Sequence, residues 1–190
     1  MKKKIGVLSL QGGFQKHLTM VSRCGATGIE VRYPQELQDI DGLILPGGES
    51  TTIGKLLDRN GFIPVLQELI LQGLPVLSTC AGTILLADSI ENSQQVRIGG
   101  VPIVIRRNAY GSQVDSFESV IDLHIQGGIS FPGIFIRAPQ ILHYSPEVQV
   151  LGQVMEFPVL IRYKSILSST FHPELSGDHQ IHDYFLQNLI

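Results

Sequence analysis

Cysteine and charge are both scarce in this chain. Only two of its 190 residues are cysteine, Cys24 and Cys80, too few for a secreted disulfide scaffold. Neither lies in a CxxC pair or a metal-ligand cluster, so no metal is expected. Charged residues make up 16%, against about 25% in an average soluble domain. The 14 Lys plus Arg and 17 Asp plus Glu leave a net charge of -3. Basic residues cluster only at Lys2–Lys4 and Arg106-Arg107, which argues against a nucleic-acid partner. No apolar run approaches the ~18 residues that span a bilayer, so no membrane partner is expected. Lys2–Lys4 followed by Ile5–Leu10 imitates a signal peptide, but the apolar stretch stops at Gln11-Gly12-Gly13, short of a typical core of about 7 to 15 residues. The expected location is the cytoplasm.

What is present is a hydrophobic, glycine-rich chain, 43% apolar with 20 glycines, of a length that suits one domain over 1–190. Ile5–Leu10 reads as a buried strand, and Leu18, Val21 and Cys24 share one helical face. Strands are expected at Ile29–Tyr33, Leu43–Leu45 and Pro75–Ser78, with helices near Thr51–Arg59, Ile63–Leu71 and Ala81–Ala87. This βαβ rhythm predicts an α/β fold of three layers, a mostly parallel central sheet with helices on both faces. The second half offers short strands at Ile103–Ile105, Phe117–Leu123, Ile134–Ile136, Val148–Val154, Phe157–Tyr163 and Ile166–Phe171, with additional antiparallel pairing expected there. Ile181, Tyr184, Phe185 and Leu189 predict a closing amphipathic helix.

Chemistry concentrates at Ser78-Thr79-Cys80-Ala81-Gly82, a cysteine at a strand-to-helix turn between small residues, which resembles a nucleophile elbow. The helix start favours thiolate over thiol. Cys24, on an apolar helix face, is assigned to the core. Of six histidines, His172 stands out in His172-Pro173-Glu174, where an extended backbone would put the imidazole and the carboxylate on one side, the carboxylate fixing the tautomer. From these residues alone, a buried structural cysteine is an equal alternative, and without Cys80 a surface ion pair would be the better reading of His172 and Glu174. The loop Pro46-Gly47-Gly48-Glu49-Ser50 follows a strand. It fails the phosphate-loop pattern because Glu49 occupies the first glycine position and Leu56 follows Lys55. Gly47-Gly48 suits one half of an oxyanion hole instead, with the Ala81 N–H as the other half. His179 and His182 are read as exposed helix residues.

Together these features resemble the triad glutaminase domains of class I amidotransferases. Gly6–Gly12, Pro46–Thr52, Arg107–Gly111, Gln113–Phe117, Phe135–Pro139 and Phe171–Leu175 narrow the likeness to the glutaminase-subunit family of pyridoxal phosphate synthase. The resemblance implies Cys80, His172 and Glu174 as catalytic residues attacking L-glutamine. It narrows the first half of the oxyanion hole to the Gly48 N–H, and implies glutamine contacts from Gly48, Glu49, Ser50, Arg107, Ile136 and Arg137, no cofactor, and a (β/α)8-barrel synthase subunit as partner. Ser78 stands where that family commonly has glycine, Thr83 where it has an aliphatic residue, Tyr110 where it has phenylalanine, and Ser112 where a basic residue is frequent. Gln11 and Gly12, on the same sheet edge as Cys80, are candidates for sensing the partner. The competing readings are a glutaminase serving another synthase, a related cysteine fold acting as redox sensor, chaperone or peptidase, and a non-catalytic binding subunit.

Overall fold

Short runs of Ile, Val and Leu between glycine turns form β1 (Lys4–Leu8), α1 (Phe14–Arg23), β2 (Thr27–Val31), β3 (Gly42–Leu45), α2 (Ser50–Arg59), α3 (Phe62–Leu71), β4 (Val76–Thr79) and α4 (Ala81–Leu86). The second half adds β5 (Ala87–Ile90), β6 (Val101–Arg106), β7 (Ser116–Leu123), β8 (Ile129–Ile136), β9 (Gln140–Tyr144), β10 (Gln149–Val154), β11 (Phe157–Tyr163), β12 (Ile166–Ser169) and α5 (Gln180–Asn188). The structure is a computed structural model that describes residues 2–107, 109 and 116–190. Tyr110 and Ser112, like the rest of the 110–115 stretch, lie outside the described residues.

Seven strands form the central sheet in the order β10-β11-β12-β4-β3-β1-β2. The β12-β4-β3-β1-β2 half is parallel throughout, while β10-β11 and β11-β12 pair antiparallel. Neighbouring residues along its strands point to opposite faces, so Leu43 and Leu45 enter one apolar cluster and Ile44 the other, as do Val76 and Leu77. One face packs against α2, α3 and α4, the other against α1 and α5, giving three layers. The inner strands are buried on both faces and read as continuous apolar runs, the mark of a covered parallel sheet.

Two strands escaped the sequence reading. β5, with a polar centre in Asp88-Ser89, and β9 join β6 in a separate three-stranded sheet. β7 and β8 form a two-stranded antiparallel unit of their own. No helix among the described residues is long and apolar enough to cross a membrane.

Two chain segments cross closely where α4 leaves the sheet. A Cβ on Gly82 would run into the carbonyl oxygen of Leu45 in β3, and backbone cannot yield as a side-chain tip can. Gly82→Ala should therefore destabilise the chain by about 1 to 3 kcal/mol, the usual cost of overpacking, read as a lower denaturant midpoint with an unchanged slope. An unaltered midpoint would show that α4 can slide along the sheet.

Candidate active site

β4 delivers Cys80 to the carboxyl edge of the sheet, where the chain turns within one residue into α4. Cys80 holds φ 47° and ψ -102°, a strained conformation for a residue with a side chain, costing of the order of 1 to 3 kcal/mol. The surroundings fix it: Cys80 N–H donates to Ser169 O at 2.9 Å and Cys80 O accepts from Ile84 N–H at 3.2 Å. The two departures at the elbow compensate each other. Ser78 Oγ lies 3.1 Å from Thr83 Oγ1 and donates to Ser168 Oγ at 2.7 Å, while Thr83 Oγ1 donates to Ser169 O at 2.7 Å.

His172 reaches this point from β12 and the 3-10 turn Pro173–Leu175. Its backbone N–H donates to Ile134 O of β8 at 2.8 Å. The extended pairing expected of residues 172 and 174 is not what forms. Pro173 starts a helical turn, and that turn brings His172 Nδ1 within 2.7 Å of Glu174 Oε1. Gly47 lies against both side chains, since a Cβ there would meet the His172 ring and the Cys80 Cβ. Burial disfavours the charged imidazole, yet hydrogen bonds to Cys80 and Glu174 overcome it and lift the His172 pKa to about 10. Burial likewise opposes the Glu174 charge, but His17 and His172 hold its carboxyl below the ordinary value. Cys24 is half-buried rather than fully in the core, and burial together with Asp183 pushes its thiol up to about 12.

A cavity of about 370 Å³ joins the predicted residues: Gln11, Gly48, Glu49, Ser50, Cys80, Arg107, Ile136, Arg137 and His172 line it, with Ile84. Ala81 is buried beside Cys80, and Glu174 is buried behind His172. Gly12, at φ 102°, presses against the Gly47 carbonyl with no room for a Cβ. Gly13 N–H donates to that carbonyl at 3.0 Å, and Gln11 Oε1 accepts from Glu49 N–H at 3.0 Å. A comparable cavity of about 410 Å³ near Leu74 and Ile166, at the other end of the strands, holds neither cysteine nor histidine.

Glu49 also caps α2, accepting from Thr51 N–H at 3.1 Å and Thr52 N–H at 2.7 Å. Burial opposes its charge, but these bonds and the Thr52 hydroxyl lower its pKa. Arg107 faces it at 3.3 Å and donates to Thr51 Oγ1 at 3.0 Å and Gln95 Oε1 at 2.6 Å. Sequence reasoning missed Gln95, which has no motif around it. It also missed His17, although His17, Met20 and Val21 share a helical face at i, i+3 and i+4 and are all buried. The exposed reading of His182 is corrected: it is 1% exposed, turned inward with Phe185 and Leu186 at i+3 and i+4. His179 does face solvent, 3.2 Å from Asp183.

A strained cysteine beside a paired imidazole is what thiolate-based acyl transfer needs, and the chain's relatives point the same way. Residues 7–190 match the sequence profile of the SNO glutamine amidotransferase family. The chain belongs to that family. The pyridoxal 5'-phosphate synthase subunit PdxT of Carboxydothermus hydrogenoformans is 50% identical over 98% of this chain and 97% of its own length. The protein of the same name from Thermotoga petrophila is 45% identical over 97% and 98%. A crystal structure of a glutamine amidotransferase superposes with a TM-score of 0.92 at 42% identity, covering 96% of this family member and 97% of that chain. PurLQS from Thermotoga maritima, at a TM-score of 0.74 and 15% identity, shares the fold.

The His172 value sets a pH dependence. Because it is raised above the ordinary 6.5, the charge interaction of His172 with Glu174 is complete below about pH 6.5 and is lost as pH rises through about 10. Iodoacetamide at neutral pH should label Cys80 and spare Cys24. In His172→Asn, Cys80 should label more slowly at neutral pH, because no imidazolium is left beside the sulfur. An unchanged labelling rate would separate His172 from the sulfur's reactivity.

Proposed function

We propose that this chain is the glutaminase subunit of a pyridoxal 5'-phosphate synthase, a single domain over 1–190 that hydrolyses L-glutamine to L-glutamate and ammonia and hands the ammonia to a (β/α)8-barrel synthase subunit. The observation that carries the site assignment is the His172–Glu174 bond at 2.7 Å beside Cys80 at its strained turn. Cys80 thiolate attacks the side-chain amide carbon. His172 gives its proton to the departing nitrogen, so ammonia leaves and a thioester remains. Water then loses a proton to His172 and attacks the thioester, releasing glutamate and restoring the thiolate. Glu174 keeps the imidazole oriented and offsets its charge. The Gly48 and Ala81 N–H groups hold the oxyanion of both tetrahedral intermediates. Glu49, with a carboxylate kept ionised, suits the α-ammonium of glutamine, and Arg107 and Arg137 suit its α-carboxylate. Gly48, Ser50 and Ile136 complete the glutamine pocket. Two unpaired cysteines fit a reducing compartment, and the cytoplasm is the proposed location.

Free ammonia is mostly protonated in neutral water and is then no nucleophile, so hydrolysis should depend on the synthase. The Gly47-Gly48 peptide is the proposed switch, with Gln11 and Gly12 as its sensors. Gln11 Oε1 and Gly13 N–H already hold the two ends of that loop. A flip that turns one oxyanion donor away costs about 100- to 1000-fold in rate.

Cys80→Ala and Cys80→Ser should abolish glutamine hydrolysis with the fold intact, whereas Cys24→Ala keeps it. Glu174→Gln should lower the rate less than His172→Asn, because the carboxylate acts only through the imidazole. The ratio of rates with and without the synthase should exceed about 100 and collapse in Gln11→Ala. Near-normal turnover in the Cys80 variants would sink the nucleophile assignment. Equal rates with and without bound synthase would sink the switch alone.

A further inference from the structure

Behind the proposed triad lies a polar chain that takes no part in the proposed proton transfers. Glu174 Oε1 bonds His172, but its other oxygen, Oε2, is buried without a hydrogen-bond partner and faces His17 Nε2 at 3.5 Å. His17, on α1, is 0% exposed, and its Nε2 also lies 3.2 Å from Thr79 Oγ1 of β4. Its Nδ1 lies 3.0 Å from His182 Nε2 on α5, and His182 Nδ1 is buried without a partner.

Proton accounting fixes the tautomers. A neutral imidazole carries one N–H. If His17 carried it on Nδ1, the bare Nε2 would face the lone pairs of a carboxylate, and the His182 N–H would fall on Nδ1, an orphaned buried donor. With both protons on Nε2, His182 donates to His17 Nδ1, and His17 presents its N–H to Thr79 and the free oxygen of Glu174. Only a bare acceptor, His182 Nδ1, is then left over. Both rings stay neutral: burial lowers the His17 pKa despite the pull of Glu174, and burial lowers that of His182 further.

We propose that His17 is a positioning residue for glutamine hydrolysis, its Nε2–H steadying the free oxygen of Glu174 while His182 fixes its tautomer, so that the carboxylate stays aligned on His172. This rests on the Cys80-His172-Glu174 reading above. At 3.5 Å the contact is longer than a good hydrogen bond and acts as an electrostatic contact between the N–H and the buried carboxylate. The groups facing His17 are Glu174 and His172 from the 172–175 segment, Thr79 from β4 and His182 from α5, with His179 acting on His182.

The test uses the complex with the synthase subunit and reads glutamine turnover together with the pH dependence of Cys80 labelling by iodoacetamide. His17→Leu keeps bulk and removes the donor, so kcat should fall about 10- to 100-fold with KM nearly unchanged, as for other lost partners that orient a histidine. The labelling profile should shift to higher pH in the same variant. His17→Gln restores an N–H at similar reach and should recover both readouts to within about three-fold. A His17→Leu enzyme with wild-type kcat and labelling profile overturns the proposal, as does a His17→Gln enzyme as impaired as His17→Leu. Glu174→Gln in the same assay tells which reading failed: if it too turns over at the wild-type rate, the triad falls and His17 with it, whereas an impaired Glu174→Gln beside a normal His17→Leu removes His17 alone. Should His17→Leu fail to fold, nitrogen NMR of the wild-type histidines decides. Neutral Nε2–H forms of His17 and His182 at pH 7 support the proposal, and an Nδ1–H or charged His17 overturns it.

Discussion

Glu174 holds a negative charge at a position 3% exposed to solvent, where an unpaired carboxylate costs several kcal/mol after relaxation. Keeping it there requires donors from separate parts of the chain to converge behind one histidine. The 3-10 turn supplies His172, α1 supplies His17, and α5 supports His17 through His182. The helices on this face of the sheet thus do more than cover apolar side chains. They carry the groups that let an ionised carboxylate exist in the interior, and that carboxylate in turn favours the charged imidazole beside Cys80.

The elbow obeys a similar constraint. A cysteine at positive φ survives only if its backbone is held from both sides, and the bonds from Cys80 to Ser169 and Ile84 do that. Polar side chains at Ser78 and Thr83 would each be expensive alone in a buried site. Arranged with Ser168 and the Ser169 carbonyl they form one satisfied network, which explains why the turn tolerates two polar residues together.

The same loops that surround the thiol also connect it to the protein surface. The Gln11-Gly12-Gly13 segment leads directly into α1, so the stretch that touches the Gly47-Gly48-Glu49 loop also carries His17. Across the cavity, Glu49 belongs to three interactions at once, capping α2, facing Arg107 and lining the pocket. A change in the loop is therefore felt by the groups that would hold the two charged ends of a substrate amino acid.

The sequence by itself determined the alternation of strands and helices in the first half, the placement of Cys80 after a strand, and the proximity of His172 to Glu174. These are local facts, legible because apolar periodicity and turn residues act over a few positions. Tertiary structure alone decided that Pro173 pairs His172 and Glu174 through a helical turn rather than an extended one. It placed the short, partly polar β5 and β9 on either side of β6 in a separate sheet. It also brought Gln95 behind Arg107 and turned His17 and His182 inward. A polar side chain can be buried only where a partner meets it, and the partners of His17 lie on β4, the 172–175 turn and α5, far apart in the chain. No local pattern records such a meeting.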